Sequence, residues 1–289
     1  MTVYAPAKVN LVLEVLGRLG DYHRISTIVQ TIGLCDVLTF EPDSDICFKC
    51  DARGLEHDNL VTRAAELLKA CTGCGLGAII ELRKRIPWSV GLGGGSSDAA
   101  ATLVALNELW RLGLPTRELV DLGAKLGSDV PFFIYGGTAL VEGRGEILTP
   151  LPSLPSTHFV LLVPPLPKIA GKTGRMYARL SSAHFTEGWF VQQGVAALTR
   201  GEAIDHAGMF NTFETVAFDL LAELDGYRKA LQEGGALAVH LAGSGPCLFT
   251  FYSAKDGAAE LVSQLKAQGF ECYVAASCSG YDIVEGSQA

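Results

Sequence analysis

Gly91-Leu92-Gly93-Gly94-Gly95-Ser96-Ser97-Asp98-Ala99-Ala100 is the stretch on which the reading of this chain turns. Its four glycines let the backbone enter conformations with positive φ and bring N–H groups close to an anion. The Ala-rich run that follows reads as a helix from about Ser96 to Leu112, whose N-terminal amides and positive dipole end point at the same place. Ser96 and Ser97 add hydroxyls able to bond phosphate or orient a cation. The plainer reading is a tight turn into a packed helix, with Ser97 or Asp98 as a cap. Two other phosphate motifs are excluded. No G-x4-G-K-[ST] occurs, so the chain is no P-loop NTPase. A dinucleotide fold needs an acidic residue ending a second strand about 20 positions on, but Arg111 to Asp121 reads as helix and turn.

Upstream of the turn, Ala78 to Lys84 reads as a strand, and Asp58 can cap a helix from Asn59 to Ala70. Val3 to Leu19 reads as strands broken at Pro6, and Ile25 to Glu41 continues with β-branched residues up to Pro42. Downstream lie a helix from Arg117 to Leu126 and two glycine-flanked strands between Gly137 and Leu148. Pro150 to Ser156, with three prolines, is the linker candidate. Beyond it come a strand (Phe159 to Val163), several helices, and the order strand, turn, strand, helix, strand from Leu237 to Ala276. The pattern predicts an α+β chain of two domains, 1–152 and 153–289. Pro164 to Thr173 reads as a loop suited to a mobile flap.

With 48 % hydrophobic and 19 % charged residues, the chain can bury a large core and is not disordered. A formal net charge of -8 argues against a nucleic-acid partner, whose phosphates are met mostly by Lys and Arg. Apolar stretches such as Phe159 to Pro165 are far shorter than the roughly 20 residues of a membrane span. Lys8, Asn10 and Glu14 interrupt the only apolar run near the N-terminus, so no secretion signal is read there, and a cytoplasmic location is expected. Among the eight cysteines, Cys47, Cys50, Cys71 and Cys74 have a spacing open to zinc. Cys47 and Cys50 fall on a strand, however, where positions three apart face opposite ways. Buried reduced thiols are therefore expected, and no metal site.

The string Pro87-x3-Gly91 to Ala100 resembles the second motif of the GHMP small-molecule kinase superfamily. Ala5-Pro6-Ala7-Lys8-Val9-Asn10-Leu11 resembles the first, and Leu241-Ala242-Gly243-Ser244-Gly245-Pro246-Cys247 the third, in family order. Asp21-Tyr22-His23, Gly127 to Phe133 and Asn211-Thr212-Phe213-Glu214 resemble the branch that phosphorylates a cytidine-diphosphate-linked sugar alcohol of isoprenoid biosynthesis. The resemblance implies an N-terminal domain like ribosomal protein S5 domain 2, a ferredoxin-like C-terminal domain, and both substrates in the cleft between them. Two departures stand out: Gly20-Asp21-Tyr22-His23 where the family usually has D-G-Y-H, and Ser89-Val90 where a small Gly or Ala pair is common.

What the resemblance implies for single residues follows. Asp129 is the general base, and Lys8, alone among Ala, Pro and Val, is its partner. Pro87, Gly91, Leu92, Gly93, Gly94, Gly95, Ser96 and Ser97 form the ATP loop, with Asn59 and Lys84 beside the adenine. Asn59 could equally be a helix cap and Lys84 a solvated strand residue. Asn10, Tyr22, His23, Tyr177, Gly243, Ser244 and Gly245 are implied to meet the second substrate, Tyr22 as an aromatic platform and His23 through hydrogen bonds to the base, while Tyr177 could equally be a core tyrosine. ATP with Mg2+ is the expected co-substrate. A mevalonate or homoserine type of kinase, or a ligand sensor without catalysis, is the alternative. The nucleobase-gripping Asp21-Tyr22-His23 loop speaks against the first, and intact Lys8 and Asp129 against the second.

Overall fold

The computed structural model describes residues 1–52, 54, 55, 59–167 and 169–284. Two long strands, β1 (Thr2–Leu19) and β2 (Tyr22–Asp43), form an antiparallel hairpin that is the spine of the molecule. Pro6 does not break β1. It sits at an irregularity of the pairing between Pro6 and Ala7, a place where the missing N–H of proline costs no ladder bond. A second irregularity separates Asn10, opposite Val29, from Val12, opposite Ile28, leaving Leu11 as an extra residue.

Short strands flank the hairpin. β3 (Ile46–Cys50) pairs parallel with β4 (Gly77–Arg83), and β4 pairs with the second half of β2. β5 (Thr138–Gly143) pairs with the first half of β2 and with β6 (Ile147–Pro150). Four helices cover this sheet: α1 (Leu60–Thr72), α2 (Gly94–Leu109), α3 (Thr116–Leu126) and α4 (Val130–Tyr135). The buried Ala99, Ala100, Ala101 and Ala105 let α2 lie close to its neighbours, around the fully buried Phe40 and Phe133. Burying each such ring contributes about 1.5–3 kcal/mol.

The remaining chain builds β7 (His158–Leu162), α5 (Lys172–Arg179), α6 (Trp189–Thr199), β8 (Phe210–Asn211), α7 (Glu214–Leu220), α8 (Leu224–Glu233), β9 (His240–Leu241), β10 (Leu248–Tyr252), α9 (Lys255–Ala267), β11 (Cys272–Ala276) and β12 (Asp282–Val284). A second antiparallel sheet has the order β11-β7-β10-β9. Two strands of this half join the first sheet: β8 runs parallel to β1 at Val12 and Leu13, and β12 pairs with Thr2 to Tyr4.

The helix after the glycine turn starts at Gly94, two residues before the sequence expectation, because helical glycines read as loop. Asp58 lies outside the described residues, and Asn59 fills the N-cap position of α1, accepting from Thr62 N–H. Cys247 and Cys272 are buried thiols as expected, but Cys47 and Cys71 are exposed. No helix of the described residues is long and apolar enough to cross a membrane.

Candidate active site

A cleft of about 920 Å³ opens where the hairpin, the glycine turn, the head of α4, α5 and the Gly243 turn meet. Lys8 enters it from β1 with 8 % of its side chain exposed. Its ammonium donates to Asn10 Oδ1 at 2.7 Å and lies 3.9 Å from Asp129 Oδ2. Burial pushes the Lys8 pKa down, and the charge of Asp129 pulls it back up. Asn10 in turn donates to Thr27 Oγ1 at 2.9 Å, so its amide is spent on orienting Lys8. Asp129 stands at the head of α4 but makes no capping bond, and its carboxylate is half exposed to the cleft.

The glycine turn is built around this pair. Lys8 N–H donates to Leu92 O at 2.9 Å, tying β1 to the turn. Gly93 adopts φ +74°, and a Cβ there would stand 2.8 Å from the Phe133 ring and 3.0 Å from Lys8 Cγ. The first ladder bond of α2 runs from Ser97 N–H to Gly93 O, which leaves the N–H groups of Gly94, Gly95 and Ser96 outside the ladder. Ser97 is buried, its hydroxyl without a partner among the described residues. The third motif presses in from the other half: a Cβ on Gly243 would lie 3.2 Å from Lys8 Nζ, and one on Gly91 only 1.9 Å from Ala242 O. Asn211 donates to the carbonyls of Leu241 and Gly243, and the Ser244 hydroxyl meets Thr173 Oγ1 at 2.9 Å.

Behind the turn sits a group of charges that the sequence did not reveal. Lys84, expected beside adenine or in solvent, buries its ammonium between Asp36 Oδ2 and Asp98 Oδ2. Asp36 also accepts the N–H groups of Arg85 and Ile86. Burial alone would lower Lys84, but the two carboxylates raise it, while burial pushes Asp98 up to about 8. A Cβ on Gly94 would stand 3.2 Å from Lys84 Nζ, so there the missing side chain makes room for this cluster. Asn59 caps α1 through Oδ1, yet its buried Nδ2 has no acceptor among the described residues. Of the expected ATP loop only Gly91 and Gly93 line the cleft; Leu92, Gly94, Gly95, Ser96 and Ser97, like Asn59, Lys84, Pro87 and Gly245, do not. Pro87 faces a separate groove with Trp88, and Gly245 faces Leu241.

Rings line another part of the cleft. His23 stacks on Tyr177 with centroids 4.7 Å apart, Phe185 meets His23 edge-on, and Phe213 meets Tyr177 edge-on. His23 Nε2 is buried and without a partner among the described residues. Burial, then the charge of Arg18, lowers His23, and burial pushes Tyr177 up to about 12. Tyr22 lies more openly, 59 % exposed, with the Arg144 guanidinium 5.0 Å over its ring. Phe185, Arg18, Arg144 and Lys172 escaped the sequence reading. Phe213 lies within a quoted segment, but the others carry no signal of their own.

Residues 59–137 match the N-terminal domain of GHMP kinases, and residues 195–271 match the GHMP kinase C-terminal domain. The chain belongs to the GHMP kinase family. It is 43 % identical over 284 residues to a 4-diphosphocytidyl-2-C-methyl-D-erythritol kinase of Dehalococcoides mccartyi, covering 98 % of this chain and 100 % of the relative. A kinase of the same name from Pelotomaculum thermopropionicum is 40 % identical over 92 % of this chain and 94 % of its own. The crystal structure of a 4-(cytidine 5'-diphospho)-2C-methyl-D-erythritol kinase superposes with a TM-score of 0.82 at 35 % identity, over 97 % of this chain and 100 % of that one. A homoserine kinase from Cytophaga hutchinsonii, 20 % identical, shares the fold with a TM-score of 0.76 over 98 % and 97 % of the two chains. As a GHMP kinase the chain is an ATP-dependent small-molecule kinase of α+β architecture, ribosomal protein S5 domain 2-like in its first part and ferredoxin-like in its second.

Proposed function

We infer that this GHMP kinase transfers the γ-phosphoryl group of ATP to the 2-hydroxyl of 4-diphosphocytidyl-2-C-methyl-D-erythritol in non-mevalonate isoprenoid biosynthesis. The observation that carries the reading is the near full-length identity to kinases of that name. The cleft supports it, since one cavity is lined by a lysine–carboxylate pair, by Gly91 and Gly93 of the glycine turn, and by a histidine whose buried ring nitrogen has no partner among the described residues.

In this reading Asp129 takes the proton of the attacking hydroxyl as the O–P bond forms. Lys8, held by Asn10 beside the Asp129 carboxylate, favours the developing alkoxide. The amides of Gly94, Gly95 and Ser96 meet the ATP phosphates, supported by Gly91, Leu92, Gly93 and the Ser97 hydroxyl, and Asn59 Nδ2, without an acceptor among the described residues, is a donor for adenine. Lys84 acts at one remove, by fixing the start of α2 through Asp98. His23 reads the cytosine edge beside Tyr177 and Tyr22, and Gly243 and Ser244 close the substrate side. Mg2+, as the companion of ATP, would supply neutralisation of phosphate charge when bound. We place the division between the two parts of the chain at residues 152 and 153, and the enzyme in the cytoplasm. The two family matches fall on either side of that division.

The test is turnover of ATP with the diphosphocytidyl sugar alcohol, mevalonate and homoserine in parallel. Phosphorylation of the first alone is expected. Preferential turnover of mevalonate or homoserine would move the chain to another branch, and ligand binding without any turnover would make it a sensor.

A further inference from the structure

Lys172 has no part in the mechanism above, yet it stands in the same cleft. It opens α5, after Gly171 in the left-handed conformation at φ +64°. The start of α5 is fastened to the third motif by the Thr173–Ser244 hydroxyl contact. From there the Lys172 ammonium reaches Ser89 O at 3.2 Å, in the run leading into the glycine turn. That carbonyl is its one hydrogen-bond acceptor among the described residues, and no carboxylate there pairs with it. Two of its three donors are therefore unused.

The charged and titratable groups around it are few. Lys8 repels it, Cys247 lies beside it with its thiol pushed up by burial, and Glu271 beyond Cys247 accepts from the Tyr273 hydroxyl. Asp129 is already the partner of Lys8. Asp21 and the guanidinium groups of Arg18 and Arg144 also line the cleft, but no carboxylate among the described residues pairs with Lys172, and two ammonium groups on a partly desolvated wall are stable with an anion between them. Burial accordingly lowers Lys172 to about 8, with Cys247 opposing and Lys8 adding to the fall.

We propose that Lys172 is a second phosphoryl-binding cation of this site, gripping the terminal phosphate of the nucleoside triphosphate as it passes to the acceptor hydroxyl. Phosphoryl transfer leaves the protein little covalent work and rests on positioned positive charge, so an ammonium with two donors unused among the described residues fits the task. The proposal rests on the kinase reading and adds one residue to it.

Two variants and one titration test it. Lys172→Met lowers kcat about 10²-fold, the loss typical of one well-placed stabilising group, while ADP binds within about threefold of the parent. Lys172→Arg keeps most of kcat and shifts the alkaline fall of kcat/KM, expected above about pH 8 in the parent, to higher pH. A limb that stayed in place in Lys172→Arg would belong to Lys8 and overturn the assignment. So would a Lys172→Met enzyme with more than half of the parent kcat. Independently of turnover, the NMR titration of the Lys172 ε-methylene should move up by about one pH unit or more when β,γ-imido-ATP and Mg2+ are added, because a bound phosphate favours the ammonium. An unmoved midpoint refutes phosphate contact. Failure of the parent enzyme to phosphorylate any alcohol, with the midpoint moved, would instead strike the kinase reading alone.

Discussion

Asp129 presents its carboxylate to the cleft with no bond to its own helix, and the ammonium 3.9 Å away is held in place by Asn10. Cutting the base out while keeping its shape is the cleanest test of that pair. Asp129→Asn should lower kcat by about 10²-fold or more, with ADP affinity by calorimetry near the parent value. A variant with most of its kcat would remove Asp129 from proton transfer. Lys8 and Asp129 were expected together from the family resemblance, and the structure brings their charges within 3.9 Å, although it buries only the lysine. Lys84 was not legible. Its partner Asp36 lies 48 positions away, and a lysine ending a strand looks the same whether it meets water or two carboxylates. The His23–Tyr177 stack escaped for the same reason, its two rings being joined only by the fold.

At the scale of the element, α2 unites the two readings that the sequence left open, a packed helix and an anion-binding helix start. Its Ala-rich body is buried in the core, while the amides of its first turn have no ladder partner. Gly93 joins both roles, since its φ of +74° forms the turn and the space where a Cβ would sit is taken by Phe133 and Lys8. Gly93→Ala therefore strains the backbone and displaces the Lys8 stem together. We expect ATP affinity to fall about tenfold and kcat to fall with it, with helix content by circular dichroism unchanged. A fall in one parameter alone would show that turn and lysine are not mechanically joined. The order of helices and strands was readable from periodicity, but the boundaries at Gly94 and Pro6 were not. Glycine inside a helix and proline inside a strand are both tolerated when neighbours supply the missing contacts.

Across the whole molecule, the two halves are bound through β1, which takes β12 at its start and β8 farther along. No local pattern announces such pairings, since strands of two and three residues carry too little periodicity to be read. One consequence is a pH-dependent stability. Glu214 on α7 accepts Leu241 N–H at 2.7 Å, just ahead of the Gly243 turn, and burial pushes its pKa up to about 7 against the pull of that bond and of Arg228. The unfolded chain releases this proton near 4.5 and the folded chain near 7, so the folded state binds more protons between them. Stability should thus fall as pH rises from about 4.5 to 7 and level off above. Glu214→Gln, which keeps a carbonyl for Leu241 N–H, should raise stability at pH 8 by about 2 kcal/mol and leave it unchanged near pH 4. Denaturant titrations at both pH values decide the matter, and equal gains at the two would show that ionisation is not the cause. The extra residue at Leu11 has a consequence of another kind, close to a frameshift in a message. Before it the even-numbered Lys8 and Asn10 face the cleft; after it the odd-numbered Leu13 does, while Glu14 turns away to receive Val191 N–H at the start of α6. Were the strand to run on without that bulge and with every residue kept, the even frame would continue straight through, swinging the Glu14 carboxylate toward the lysine and casting Leu13 to the far side. Deleting Leu11 instead removes bulge and shift together and leaves both faces as they are.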